Sequence, residues 1–346
     1  MSETPGLDPA RVTSWLRDHL AGIEPPVRYS LIPAGGSNLT YRVEDAAGHG
    51  WALRRPPVAA VLATAHDVER EWRIMEALGR DSDVPVPAAL ARCDDLDVTG
   101  APFYVMGFVE GRILRTERDG AAMDPAAAER ATDSLVDVQV AFHTVDPDAI
   151  GLGELSRRRG SYVERQLHRW RTQVERAQTR DLALLAELHD RLARTIPAET
   201  TPPGLAHGDY RFDNTVLGPD DRIVAVLDWE LCTIGDPVAD FAWSLGYWAD
   251  PDDPLPFLTS APTLAAGFPR RADVAARYAE RSGCSLDALP WLAVFSYWKM
   301  ACIVEGVYTR RQRGAQSGAP SGDLTSIADR VERLLGYADE LAAGVC

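Results

Sequence analysis

The chain has 346 residues, too long for a minimal domain and about right for two lobes. A 46% hydrophobic content with 25% charge fits a globular chain with ample core. A net charge of −15 argues against nucleic acid or an anionic membrane as main partner, because phosphate backbones demand a basic footprint. An anionic ligand would then need a local basic pocket or a metal. Of 36 Lys+Arg, only Lys299 is lysine. The five cysteines (Cys93, Cys232, Cys284, Cys302, Cys346) are odd in number and scattered, which implies reduced thiols. With no apolar run near ~18 residues and no signal-peptide pattern, a cytoplasmic protein without membrane contact is expected.

Asp8–Leu20 carries Val12, Trp15, Leu16 and Leu20 at helical spacing behind an Asp-Pro start. Strands are predicted over Arg28–Ile32, Leu39–Val43 and Gly50–Arg54, with a glycine-bearing turn Ala34–Asn38 between the first two. That turn either brings backbone close to a ligand or is an ordinary hairpin. Ala65–Leu78 is helical by period, and Ala88–Cys93 and Pro102–Val109 read as two more strands. After Gly111 the pattern turns helical: Pro125–Val145, Ser161–Ala177, Asp181–Ile196, Val238–Tyr247, Arg271–Ser282, Leu289–Arg310 and Gly322–Ala343. Gln312–Gly322 is polar and Gly/Ser-rich, a predicted loop.

The most informative stretch is Leu205–Asp228, LAHGDYRFDNTVLGPDDRIVAVLD. Asp209 and Asn214 stand in the order H-x-D-x-x-x-x-N, and Asp228 follows after a predicted hairpin. Phosphoryl transfer from ATP needs this layout: one acid to orient and deprotonate a hydroxyl, and two oxygen donors for Mg²⁺. Arg211, two residues after the candidate base, can neutralise charge on a moving phosphoryl group. His207 is expected to fix the loop by hydrogen bonds rather than to transfer protons.

LAHGDYRFDN followed by VAVLDWE resembles the Brenner-type motif and metal-binding Asp of the aminoglycoside phosphotransferase/choline kinase family. Gly235–Asp240 matches its GDP-x-x-D, and the likeness runs from about Ser30 to Tyr308. It implies an α+β, two-lobed protein-kinase-like fold: an N-terminal helical extension (1–26), a β-rich nucleotide-binding lobe (27–109) and a mostly helical catalytic and substrate lobe (110–346). It implies Asp209 as base and Asn214 and Asp228 as metal ligands, with ATP and Mg²⁺ as cofactors. Asp240 is expected to brace the catalytic loop or to serve only as a helix-start charge.

In the first lobe the resemblance makes Gly35, Gly36, Ser37 and Asn38 the phosphate-covering turn. Trp51-Ala52-Leu53-Arg54 sits where kinases carry V-A-I-K, so Arg54 stands in place of the ATP lysine; Arg55 is the alternative, turned to the other face by strand alternation. Arg suits phosphate oxygens but is not interchangeable with Lys. Glu71 is the expected partner of Arg54, with Glu69 as competitor. Met106, Gly107 and Val109 fall at the adenine hinge. The phrases LRRPP, AHDVEREW, VPVP and PFYVM are similar to the kinase-like domain fused to acyl-CoA dehydrogenases and to its stand-alone bacterial versions. That likeness implies a hydroxylated acyl compound as acceptor; an aminoglycoside or other amino alcohol, and a catalytically silent nucleotide-binding module, stay open. Lys299 could face an anionic substrate or snorkel. Trp243, Trp248 and Trp298 could line an acceptor pocket or pack as core.

Overall fold

The computed structural model describes residues 4–32, 38–57, 68–156, 161–177, 180–313 and 324–345. In chain order the elements are α1 (Pro9–His19), β1 (Arg28–Ile32), β2 (Leu39–Glu44), β3 (Gly50–Arg55), α2 (Val68–Asp81), β4 (Ala89–Cys93), α3 (Leu96–Thr99), β5 (Phe103–Gly107), α4 (Glu117–Ala121) and α5 (Pro125–Thr144). There follow α6 (Tyr162–Ala177), α7 (Ala183–Arg194), β6 (Gly204–Ala206), β7 (Thr215–Leu217), β8 (Ile223–Val226) and β9 (Thr233–Gly235). The last helices are α8 (Pro237–Tyr247), α9 (Arg271–Ser282), α10 (Leu289–Gln312) and α11 (Leu324–Ala342). The class is α+β, as the resemblance implies. Two compact units form, one from residues 1–113, 148–153 and 213–232, the other from 114–147, 154–212 and 233–346.

The first unit is built on an antiparallel sheet in the order β1-β2-β3-β5-β4. Alternation sorts its faces. Tyr41, Val43, Leu53, Phe103 and Val105 point to a core completed by Val12 and Leu16 of α1, with Trp15 set edge-on to Phe103 at 4.9 Å. The opposite face meets α2, whose Trp72, Met75 and Leu78 are buried and whose Trp72 lies 5.9 Å from Tyr104. Arg54 pairs in register with Tyr104 and therefore faces α2. Arg55 turns the other way, donating to the carbonyls of Gly6 and Thr99.

The β7–β8 hairpin belongs to the same unit. Arg112 and Leu217 exchange backbone hydrogen bonds at 2.9 and 2.8 Å, and Val226 N–H donates to Pro85 at 2.8 Å. Its turn closes through Gly218 N–H to Arg222 with Asp221 left-handed at φ 64, held by the Arg112 guanidinium.

The second unit is helical around α10, where Trp298, Phe295, Leu292 and Cys302 pack with residues of α6, α7, α8 and α11. The only strands here among the described residues are the short pair β6 and β9, joined in the register Leu205↔Ile234. No helix among the described residues is long and apolar enough to cross a membrane.

Candidate active site

In the second unit, β6 delivers the chain into the turn His207-Gly208-Asp209, with Gly208 left-handed at φ 84. Asp240, in the first turn of α8 and buried, clamps that turn. One carboxylate oxygen accepts the His207 N–H at 3.0 Å and the other accepts the Gly208 N–H at 2.8 Å. His143 Nε2 donates to the same carboxylate at 3.1 Å, and its Nδ1 lies 2.7 Å from the Tyr278 hydroxyl. Burial pushes the Asp240 carboxyl up, but the His143 hydrogen bond and charge, His207 and the Gly208 amide outweigh it and hold it below the usual carboxylate range. Asp240 is thus a brace and not only a helix-start charge. His207 is fully buried, and its Nδ1 accepts the Asp209 N–H at 3.3 Å. It shapes the loop, as expected for that residue.

Asp209 is 24% exposed, and its carboxylate lies 3.4 Å from Nε of Arg211. Arg211 in turn lies over the Tyr247 ring at 4.6 Å. Tyr247 and Trp243, one turn apart on α8, meet edge-on at 5.4 Å. Lys299 of α10 sets its ammonium over Trp243, 3.6 Å from the ring centroid, with Trp170 of α6 at 5.9 Å. Lys299 is 5% exposed. Burial pushes its pKa down to about 7, against the opposing pull of the Asp240 and Asp209 carboxylates and helped by Arg169. Sequence left Lys299 open between a snorkelling side chain and a site residue; it does not snorkel. All three tryptophans considered for an acceptor pocket are buried in the core; Trp248 donates to Pro269 and Trp298 to Leu185. Trp243 alone carries the lysine.

In the first unit, Arg54 is buried and gathers three acids. Its Nε lies 2.9 Å from Glu71, as a charge contact; its terminal nitrogen bonds Asp228 and reaches Glu230 at 3.4 Å. Burial disfavours the guanidinium charge, but Glu71, Asp228 and Glu230 more than restore it and raise its pKa. Burial pushes the Glu71 carboxyl up, with Arg54 opposing and Asp228 adding to the rise. The competitor Glu69 pairs instead with Arg92 at 3.0 Å. Asn38 donates to Glu230 at 3.1 Å, so Glu230, which sequence did not single out, ties the end of the glycine turn to Arg54. Gly35, Gly36 and Ser37 lie outside the described residues.

Asn214 and Asp228 are brought together by hairpin register. Thr215 pairs with Val226, and Leu227 N–H donates to the Asn214 carbonyl at 2.8 Å. Asp228 itself is left-handed at φ 65, a costly conformation for a non-glycine residue. Two side chains offering only oxygen donors suit Mg²⁺, which takes few protein ligands and keeps water and phosphate in its shell. Met106 is buried and pairs with Ala52, and Gly107 pairs with Trp51 at the end of β5. Gly107 N–H is spent on Ala88. Val109 follows, half-buried.

A five-stranded sheet with one helix on its α2 face, a clamped H-G-D turn and an oxygen-donor hairpin define a kinase-like phosphotransferase. The chain belongs to the phosphotransferase enzyme family, whose model matches residues 28–281. It is similar to acyl-CoA dehydrogenase family member 10 of Mus musculus, 34% identical over 307 residues, 87% of this chain and 28% of that protein. The chain spans well under half the length of such relatives, 41% in the case of acyl-CoA dehydrogenase family member 11 of Homo sapiens. A crystal structure of a "putative aminoglycoside phosphotransferase" from Ralstonia eutropha shares 32% identity at a TM-score of 0.78, covering 96% of this chain and 98% of that one. The ternary complex of aminoglycoside phosphotransferase APH(4)-Ia with AMP-PNP and hygromycin B, 14% identical at a TM-score of 0.61 over 95% of this chain and 97% of that one, shares the fold.

Proposed function

We propose that this phosphotransferase moves the γ-phosphate of ATP, with Mg²⁺, to the hydroxyl of a small hydroxyacyl compound. The observation that carries the reading is the Asp240 clamp. A buried carboxylate spends both oxygens on the backbone at residues 207 and 208, and that fixes where the next residue, Asp209, presents its own. Asp209 orients the acceptor hydroxyl and takes its proton as the oxygen–phosphorus bond forms and the bond to the β-phosphate oxygen breaks. Arg211 neutralises charge on the transferring group. Asn214 and Asp228 would hold the magnesium ion, which when bound supplies charge neutralisation on the phosphate oxygens. Arg54 serves the nucleotide phosphates in the lysine's place, and Glu71 and Glu230 position it. The turn Gly35-Gly36-Ser37-Asn38 covers the phosphates, and the backbone at Gly107 and Val109, with Met106 behind, takes the adenine.

Lys299 favours the hydroxyacyl acceptor over an aminoglycoside or amino alcohol, because a cation buried within the field of Asp209 repels a polycation. The similarity to acyl-CoA dehydrogenase family proteins points the same way. One observation favours a catalytically silent nucleotide-binding module instead: the Arg54 guanidinium bonds Asp228, the carboxylate assigned to the metal. Phosphorus NMR of ATP, Mg²⁺ and a set of hydroxyacyl compounds separates the two. The kinase reading predicts a new phosphate-ester signal with wild type and none with Asp209→Ala, which still binds ATP. Mg²⁺-dependent ATP binding without transfer to any hydroxyl supports the silent module.

A further inference from the structure

The helix α8 carries two aromatic rings one turn apart, and each bears a cation. Arg211 lies over Tyr247 and Lys299 over Trp243. Arg211 is spoken for by Asp209. Lys299 is not: among the described residues its ammonium makes no hydrogen bond and no ion pair, and its contacts are the faces of Trp243 and Trp170. Bringing an ammonium group into a protein interior without a carboxylate partner is expensive, and a methionine would fill the same volume without that cost. Two further buried donors nearby lack partners. The Trp243 Nε1–H and the Ser296 hydroxyl, the latter one turn before Lys299 on α10, find no acceptor among the described residues. Among the described residues, three polar groups on two packed helices, their residues all more than nine-tenths buried, thus have donors and no protein oxygen to receive them.

We propose that Lys299, held on the Trp243 face, is the specificity residue that receives the acyl oxygen of the acceptor, a carboxylate or a thioester carbonyl, while Asp209 receives its hydroxyl. The inference rests on the reading of the chain as a hydroxyacyl kinase and adds a residue to it. A buried ammonium gives up its water shell at a cost, and an anionic or strongly polarised oxygen restores more of that loss than the hydroxyl of an alcohol does. The Trp243 face attracts the cation from one side and leaves its N–H groups for the ligand. Arg169, also acting on Lys299, adds to the positive field.

The test compares Lys299→Met and Lys299→Arg with wild type on three matched acceptors: a straight-chain hydroxycarboxylate, its CoA thioester, and the diol in which the acyl group is reduced. The readout is the ratio of kcat/KM for each acyl compound to that for the diol. Wild type is expected to favour the acyl compounds. Lys299→Met is expected to lower the ratio at least tenfold through KM, and Lys299→Arg to keep part of it. A loss confined to the hydroxycarboxylate identifies a carboxylate as the partner, and a loss for the thioester as well identifies the carbonyl oxygen. A ratio unchanged in Lys299→Met, with a folded protein by thermal melting, overturns the proposal. If wild type phosphorylates none of the three, the hydroxyacyl-kinase reading fails on its own. Ligand-observed NMR of hydroxycarboxylate against diol, on wild type and Lys299→Met, then still decides Lys299: equal binding of both ligands by wild type overturns it, and a carboxylate preference lost in Lys299→Met upholds it.

Discussion

Replacing Asp240 by alanine removes a carboxylate that accepts two backbone N–H groups and one imidazole N–H in the dry interior of the second unit. Each stranded amide costs about 1–3 kcal/mol. Deleting one partner of a buried charged pair costs about 3–5 kcal/mol. The terms overlap because all three donors share one carboxylate, so a loss of about 4 kcal/mol is expected. With a urea slope near the upper end of ~1–3 kcal/mol/M, the midpoint falls by more than about 1 M. Asp240→Asn keeps one acceptor oxygen and is expected to lose about half as much. The sign with pH follows from the depressed carboxyl. Its stabilisation is complete above the unfolded value of about 3.9 and is lost as pH falls through the lower folded value. The gap between wild type and Asp240→Ala is therefore flat from neutral pH down to about 4 and closes only below. Urea unfolding at several pH values measures this, with phosphoryl transfer measured alongside. A midpoint shift below about 0.3 M with transfer unchanged would refute the clamp.

Lys299→Met is expected to stabilise the protein, by an amount on the order of a few kcal/mol, because one pKa unit corresponds to about 1.4 kcal/mol and burial lowers this lysine to about 7. Below pH 7 the lysine is charged in both states and the full penalty opposes folding; between about 7 and 10.4 the unfolded chain holds the extra proton, so wild-type stability rises with pH and the variant's advantage shrinks. Thermal melts across that window check the trend, and a constant advantage contradicts it. Arg54→Ala strands Glu71, Asp228 and Glu230 together and is expected to cost about 3 kcal/mol and weaken ATP binding, while Arg54→Lys restores part of both; calorimetric titration with ATP reads the second effect, and indifference to Arg54→Ala counts against its placement. Asp228→Ala is expected to abolish the Mg²⁺ dependence of ATP binding, seen as equal thermal shifts with and without the metal; an intact Mg²⁺ effect removes Asp228 from the metal role.

The long amphipathic helices were legible because period and caps agree: α9 spans Arg271–Ser282, the bounds its sequence predicts. Four short elements were not. β6, β9, α3 and α4 run three to five residues, too few for a period to show. Yet α4 carries a capping box from Thr116 and Asp119, and α3 ends on a left-handed Gly100; both are readable signals. Strand alternation separated Arg54 from Arg55 correctly. Helix facing did the same for Glu71 and Glu69, since only the former is buried against the sheet. The clamp could be guessed at Asp240 but not at His143 or Tyr278, which lie 97 and 135 residues from their partners. Glu230 joined Arg54 across 176 residues for the same reason. Lys299 could not be read as buried from a helix whose apolar residues run all round, because such a helix gives no outward face against which to judge a charge.

Asp209 is the proposed base, and a hydroxyacyl compound the proposed acceptor. Single-turnover transfer from γ-labelled ATP to a hydroxycarboxylate or its thioester, with wild type and Asp209→Asn, tests both most directly. Asn keeps the volume and hydrogen-bonding reach of Asp209 but cannot take the proton. Wild type is expected to transfer label to the acceptor hydroxyl, and Asp209→Asn to do so at a rate at least about a hundredfold lower, within the ~10²–10⁴ usual for a general base, at unchanged ATP affinity. Transfer by Asp209→Asn at the wild-type rate would contradict the role proposed for Asp209.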